Sequence, residues 1–286
     1  MTWLLFASLT ALFESFKDLA SKINLKKIDE YIVAWSFILL QLPLLFCLLL
    51  SNPLPEIKPN FWLALIFGSI LNTISFLIYI KAINLADLSL TVPLITLSTL
   101  FFVITSPLIV GEYPSLINFL GMAIIVVGSY ILNINQTNQG YFAPLKFLWQ
   151  QKGCQLMLLV ALIWSVTANV DKVGVLNSSP VFWLTLHYSF IALLMLPIVW
   201  YKSSKKLYQI RRYFPSLFLM GMLGAIAVIF QMKALELTLV ARVISVKRLS
   251  TMLTVFWGFL ILKEDNFQQR ILGSLIMILG VFLVLK

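Results

Sequence analysis

Charge, cysteine and histidine are all scarce in this chain of 286 residues. Only 11% of its residues are charged and 60% are hydrophobic, against roughly 25% and 45–50% in a soluble domain. That balance excludes a soluble globular enzyme and a disordered chain. The two cysteines, Cys47 and Cys154, both fall in or beside apolar runs and make no disulfide framework. The lone histidine, His187, leaves no material for a His-based metal site. Phosphate-loop, nucleophile-elbow and zinc-protease patterns are absent as well, so no catalytic constellation, cofactor or ATP hydrolysis within this chain is expected. The net charge of +10 sits in short loops between apolar runs. Positive charge so placed reads as topology bias or lipid-surface contact, not as a nucleic-acid footprint.

Long apolar runs are what the chain does have. A membrane-crossing helix needs about 20 such residues, and runs of that order fall near 3–20, 31–50, 61–83, 89–110 and 115–133. A second set falls near 154–173, 181–200, 216–236, 239–262 and 270–285. The expected fold class is therefore an all-α integral membrane protein with ten transmembrane helices. The first run ends on Glu14, Lys17 and Asp18 and lacks a basic start, which does not suit a cleaved signal peptide. Between the fifth and sixth runs, NINQTNQG at 133–140 is the most polar stretch and reads as a linker. The following 141–152 fits a short interfacial helix with Phe142, Leu145, Leu148 and Trp149 toward lipid.

The second set echoes the first. Lys81-Ala82 returns 152 residues later as Lys233-Ala234, Leu97-Ser98-Thr99 as Leu249-Ser250-Thr251, and Leu108-Ile109 as Leu260-Ile261. Glu112 falls on Glu264, Gly121 on Gly273 and Gly128 on Gly280, and 81–132 against 233–284 holds 14 identities in 52 positions. Upstream the offset is 153, with Asp18 on Asp171 and Ser36-Phe37-Ile38 on Ser189-Phe190-Ile191. The chain is a tandem duplication of a five-helix unit, divided as 1–133, a linker at 134–152, and 153–286. Five is odd, so the second copy enters the membrane from the opposite side. Two inverted five-helix repeats follow, a common build of secondary transporters with the substrate site near the midplane between halves.

The stretch KAINLADLSLTVPLITLSTLFFVITSPLIVGEYPSLINFLGMAIIVVGSYIL and its echo KALELTLVARVISVKRLSTMLTVFWGFLILKEDNFQQRILGSLIMILGVFLVL resemble the two EamA-type repeats of the drug/metabolite transporter superfamily. Each is an apolar span closing on a glutamate, here Glu112 or Glu264, followed by a glycine-containing span. The resemblance covers essentially the whole chain. It implies a ten-helix bundle with a central cavity and alternating access, without implying a particular substrate. The copies depart from each other at GEYP versus KEDN.

Ionisable groups inside spans are costly, about 2.5–3.5 kcal/mol at a helix centre, and normally face the bundle interior. Lys247 and Arg248 lie nine or ten residues into the ninth run, where the first copy has Ile95 and Thr96. Their functional reading is a cationic floor for a carboxylate or phosphate, Arg248 supplying a fork and Lys247 a point charge. The plainer reading is neutralisation of Asp171 or Glu236, or contact with lipid phosphate. Thr10, Glu14, Lys17, Asp18 and Ser21 form one polar stripe on the first helix, and Trp164, Thr167, Ala168 and Asp171 repeat it more weakly on the sixth. Both helices are expected to line the cavity, with Trp164 and Thr167 as substrate contacts. Glu14 is the candidate for substrate binding and for carrying a coupling proton. Lys17, Asp18, Asp171 and Lys172 sit near run ends, where mutual pairing or snorkelling is the simpler expectation.

Trp183 and His187 share a face at i, i+4 on the seventh run as further site candidates, although a lone membrane histidine is more often a packing residue. Tyr79 and Gln231 complete the candidates as cavity hydrogen-bonders. Glu112 and Glu264 read as structural. The positive-inside bias, mostly from KSSKKLYQIRR at 202–212, puts both termini outside, whereas the resembled family is described with both in the cytoplasm. The expectation is a multi-pass protein of the plasma or inner membrane, a secondary-active transporter of a small polar metabolite bearing an anionic group. Its partners would be that small-molecule substrate and membrane lipid, with a homodimer open. The rivals are an exporter of amino acids or amphipathic cations, a passive channel, and a polytopic membrane enzyme.

Overall fold

A computed structural model of the chain describes residues 2–86, 91–131, 151–262 and 267–284. The described residues are helical apart from short connections. We number the spans α1 (Thr2–Leu25), α2 (Glu30–Leu50), α3 (Asn60–Leu85), α4 (a 3-10 stretch Val92–Leu97 running into Ser98–Ile109) and α5 (Leu116–Ile131). The second half holds α6 (Lys152–Leu176), α7 (Pro180–Ser203), α8 (Phe214–Leu237), α9 (Val240–Lys247 and Leu249–Leu262) and α10 (Phe267–Val284). Six of these, α2, α3 and α6–α9, are long and apolar enough to cross a membrane. Stretches of α4, α5 and α10 are apolar but shorter. The 24-residue α1 is long enough but carries Glu14, Lys17 and Asp18.

Local chemistry starts and stops these helices. Asp29 caps α2 by accepting from the Tyr31 amide at 3.0 Å, and Ser179 caps α7 ahead of Pro180, a residue suited to a first turn. Within α2 the ladder is interrupted at Leu40–Gln41, just before Pro43, whose missing N–H cannot continue it. The linker and the interfacial helix expected at 134–152 fall almost entirely on 132–150, outside the described residues, as does Glu264.

Packing between the halves shows the inversion directly. α1 pairs with α8, α3 with α6, α5 with α10, and α2 with α7. Along α1 from Thr10 to Asn24 the partners on α8 run backwards, from Ala227 to Ser216. α3 and α6 are likewise antiparallel, Ser75 meeting Trp164 and Ala82 meeting Gly153. First and third helices of one half must be parallel to each other, so antiparallel cross-pairs require the second half to be upside down. The glycines of α5 and α10 repeat the lesson. A Cβ on Gly121 would sit 2.7 Å from the Gly280 carbonyl, and one on Gly128 2.7 Å from that of Gly273. Gly121 corresponds to Gly273 and Gly128 to Gly280, so the swapped pairing is what a two-fold axis between the halves demands. Backbones approach this closely only where no side chain intervenes.

Candidate functional site

The two fourth helices of the halves are both broken, within two repeat positions of each other. In α4 the 3-10 stretch gives way to α-helix at Ser98. In α9 the first segment ends at Lys247, with Arg248 as the junction, its amide shared between the carbonyls of Ile244 (3.0 Å) and Ser245 (3.2 Å). The ninth run reads as one helix in sequence because no proline or glycine marks the junction. Breaks of this kind place side chains and helix ends at the bundle centre, where transporters build their sites. Arg248 reaches from one break to the other and donates to Ser98 Oγ at 2.6 Å. Its Nε has no partner, and no carboxylate lies within 4.0 Å of the guanidinium among the described residues, although the side chain is buried.

Beside it stands an ionic cluster rooted on α1. Lys17, only 2% exposed, lies 2.9 Å from Glu14 and 2.7 Å from Asp18. Tyr79 of α3 donates to Asp18, and Thr254 of α9 approaches the other carboxylate oxygen at 3.4 Å. Lys247 lies 3.5 Å from Glu14 and donates to Gln231 Oε1 of α8 at 2.7 Å. Four helices are therefore tied together by one buried charge network. Each member has a partner, as burial requires.

The opposite wall is built on α3, α6 and α7. Asp171 accepts from the Trp183 indole at 3.2 Å, and the His187 ring lies 3.8 Å away. Trp183 stacks on His187 with centroids 4.7 Å apart. His187 is held on both nitrogens, Nδ1 3.1 Å from Ser69 Oγ and Nε2 2.9 Å from the Asn72 amide nitrogen. With the Asn72 amide nitrogen assigned toward Nε2, that nitrogen accepts and Nδ1 carries the ring proton toward Ser69. Trp164 donates to Ser75 Oγ at 3.0 Å and packs on Tyr79 at 5.1 Å.

These walls enclose one cavity of about 670 Å³, counting the part open to solvent. Of the sequence candidates, Glu14, Trp164, Thr167, His187, Gln231, Lys247 and Arg248 line it together. Tyr79 and Trp183 do not; they stand one layer behind, holding Asp18 and Asp171. Lys17 is paired locally with Glu14 and Asp18, as the run end suggested, but it and Asp171 line the cavity rather than snorkelling out of the bundle. The helices outlast the hydropathic runs: α1 continues to Leu25 and α6 to Leu176, so both residues are interior. Lys172 does behave structurally, bonding to Glu112 and, at 2.8 Å, to the Thr238 carbonyl; Glu112 also accepts the Val240 amide at 2.9 Å. The apolar lining, chiefly Phe37, Phe76 and Tyr188, carried no sequence signal distinguishing it from ordinary core. Asn72 was missed for the same reason, as one polar residue within an apolar run.

The model of the EamA-like transporter family matches residues 1–134 and again 151–286. The chain belongs to that family. It is an integral, multi-pass membrane transporter of small molecules, of the drug/metabolite transporter superfamily. A Sinorhizobium protein named an uncharacterized transporter in the cobO 3′ region is 26% identical over 141 residues, 46% of this EamA-like chain and 97% of its own length. That relative matches about one half of the duplication. A crystal structure of another protein superposes with a TM-score of 0.72 over 98% of this transporter and 95% of its own chain. At 13% identity that likeness concerns fold alone.

Proposed function

We propose that this transporter moves a small polar metabolite bearing a carboxylate, phosphate or similar anionic group, as a secondary-active carrier of the cell membrane working by alternating access. The observation that carries the reading is Arg248: a buried guanidinium in the cavity wall, at the junction of a broken helix, with its Nε unpartnered and Lys247 beside it. A fork with free donors suits a planar or tetrahedral anion better than a point charge does. Inverted halves meeting at the cavity support alternating access, since rocking one about the other exchanges which side is open.

Thermal unfolding of detergent-purified protein across a metabolite panel tests this, wild type against Lys247→Gln and Arg248→Gln. A ligand at 100 times its dissociation constant stabilises by about 2.7 kcal/mol. Carboxylated or phosphorylated compounds should stabilise wild type and lose that effect in both variants. Equal stabilisation of all three proteins by amines or neutral solutes, with none from anions, would overturn it.

A further inference from the structure

Charge in the cavity is not evenly paired. Lys17 serves both Glu14 and Asp18, and Lys247 adds a second cation to Glu14. Asp171 has no lysine or arginine within 4.0 Å among the described residues, only an indole N–H and a neutral imidazole, yet it is 8% exposed and faces the cavity. A buried carboxylate without a cation takes up a proton or awaits a positive partner. The groups around it settle which. From α7 it meets His187 and Tyr188, whose ring nitrogens and phenol bring no positive charge; from α9, Lys247 and Arg248 line the same cavity. From α1 come Glu14 and Lys17, engaged with each other, and behind them Asp18 with Tyr79; α3 presents Asn72 and α8 Gln231, both uncharged.

With Asp171 ionised, three carboxylates (Glu14, Asp18, Asp171) face three cations (Lys17, Lys247, Arg248). With Asp171 protonated, the cations outnumber the carboxylates by one, leaving a net positive charge that favours an anion. We propose that Asp171 is a proton-binding site of the transport cycle, taking one proton from cavity water as an anion binds at Arg248 and Lys247, so that proton and anion travel together. The proton adds to a carboxylate oxygen not used by Trp183; no other bond forms or breaks. This inference rests on the anion reading above and adds its coupling ion.

Two measurements separate them. Infrared spectra of the ligand-free protein, titrated from about pH 5 to about pH 9, should show a carboxylic-acid carbonyl band that vanishes as Asp171 ionises. That band should be absent in Asp171→Asn, shifted in Asp171→Glu, and present in Glu14→Gln. If Asp171→Asn does not fold, the shift in Asp171→Glu carries the assignment. A band that instead disappears with Glu14→Gln, or is unmoved in Asp171→Glu, overturns the proposal whatever the substrate. Sulfate, whose charge is constant over this range, is the anion probe. Its thermal stabilisation of wild type relative to Arg248→Gln removes the general salting effect. Apparent affinity should fall about tenfold per pH unit once Asp171 is ionised, and be flat with pH in Asp171→Asn. Sulfate binding that is pH-independent in wild type overturns the coupling but not the anion reading. An intact Asp171 band with no sulfate effect at any pH overturns the anion reading, and the coupling with it.

Discussion

Replacing Lys17 by methionine tests the ionic cluster most sharply. The substitution keeps the length of the side chain and removes one charge that two buried carboxylates share, at 2.9 and 2.7 Å. Removing one partner from a buried pair costs about 3–5 kcal/mol, because the remaining charge is left in a poor solvent. Neither carboxylate is left bare, since Glu14 keeps Lys247 at 3.5 Å and Asp18 keeps the Tyr79 hydroxyl and Thr254. The loss should therefore sit at the low end, about 3 kcal/mol, or roughly 6 °C in melting temperature for a chain of this size. Fluorescence-monitored unfolding in detergent reads it. The sharper arm is the double variant Lys17→Met with Asp18→Asn, which also removes the carboxylate charge left without a cation and should regain much of the loss, a coupling well above the few tenths expected of independent sites. A Lys17→Met protein that melts with wild type, or a double variant whose losses simply add, would refute the account of α1 as the anchor of the network.

Gly128→Ala would put a methyl 2.7 Å from the Gly273 carbonyl, forcing α5 and α10 apart; overpacking of that kind costs about 1–3 kcal/mol, readable as a lower melting temperature. Gly174→Ala places a methyl 2.1 Å from the Trp183 ring, so the indole must leave Asp171, and the infrared midpoint of Asp171 should move. In the loops, burial pushes the Asp29 carboxyl up, but bonds from Lys206, Ser203 and the Tyr31 amide outweigh it and hold the group below its ordinary 3.8. A lowered carboxylate stabilises above its unfolded value and loses that as pH falls through the folded one, so this clip between the α1–α2 and α7–α8 loops should open only in acid, below about pH 4. Asp29→Asn should raise tryptic cutting at Lys205–Arg212 at neutral pH, and unchanged cutting would show that the clip does not restrain the loop.

Much of the architecture was legible because duplication leaves a pattern that apolar bias cannot imitate: a lysine, a glutamate and paired glycines returning at one offset. Inversion then followed from counting to five. Seven of nine site candidates line one cavity because an ionisable or hydrogen-bonding group within an apolar run has few other places to go. The reading was weakest at run ends. The runs end at 20 and 173 while the helices continue to Leu25 and Leu176, so Lys17 and Asp171 looked terminal when they were interior. Tyr79 and Trp183 showed the converse difficulty. A hydrogen-bonding aromatic on a lining helix can face the cavity or brace what faces it, and periodicity does not separate the two. The break at Arg248 left no trace, since it depends on how α9 packs rather than on a residue that forbids helix.

Comparing the copies with each other locates the specialisation. Asp18 and Asp171 occupy the same repeat position, but the residue before each is Lys17 in one copy and Val170 in the other. Tyr79, which bonds to Asp18, is matched by Gln231, which bonds instead to Lys247. The second copy thus has no cation at the position before its aspartate and carries two on α9, where the first copy has Ile95 and Thr96. Symmetry alone would have given two self-neutralised aspartates and an uncharged centre. The observed arrangement separates a locked ionic anchor on α1 from an aspartate on α6 and an arginine on α9 that line the same cavity, neither with an ion partner of opposite charge within 4.0 Å among the described residues apart from the His187 ring near Asp171. The backbone keeps the two-fold symmetry, as α5 and α10 show. The side chains break that symmetry, and they do so at Val170, Gln231, Lys247 and Arg248.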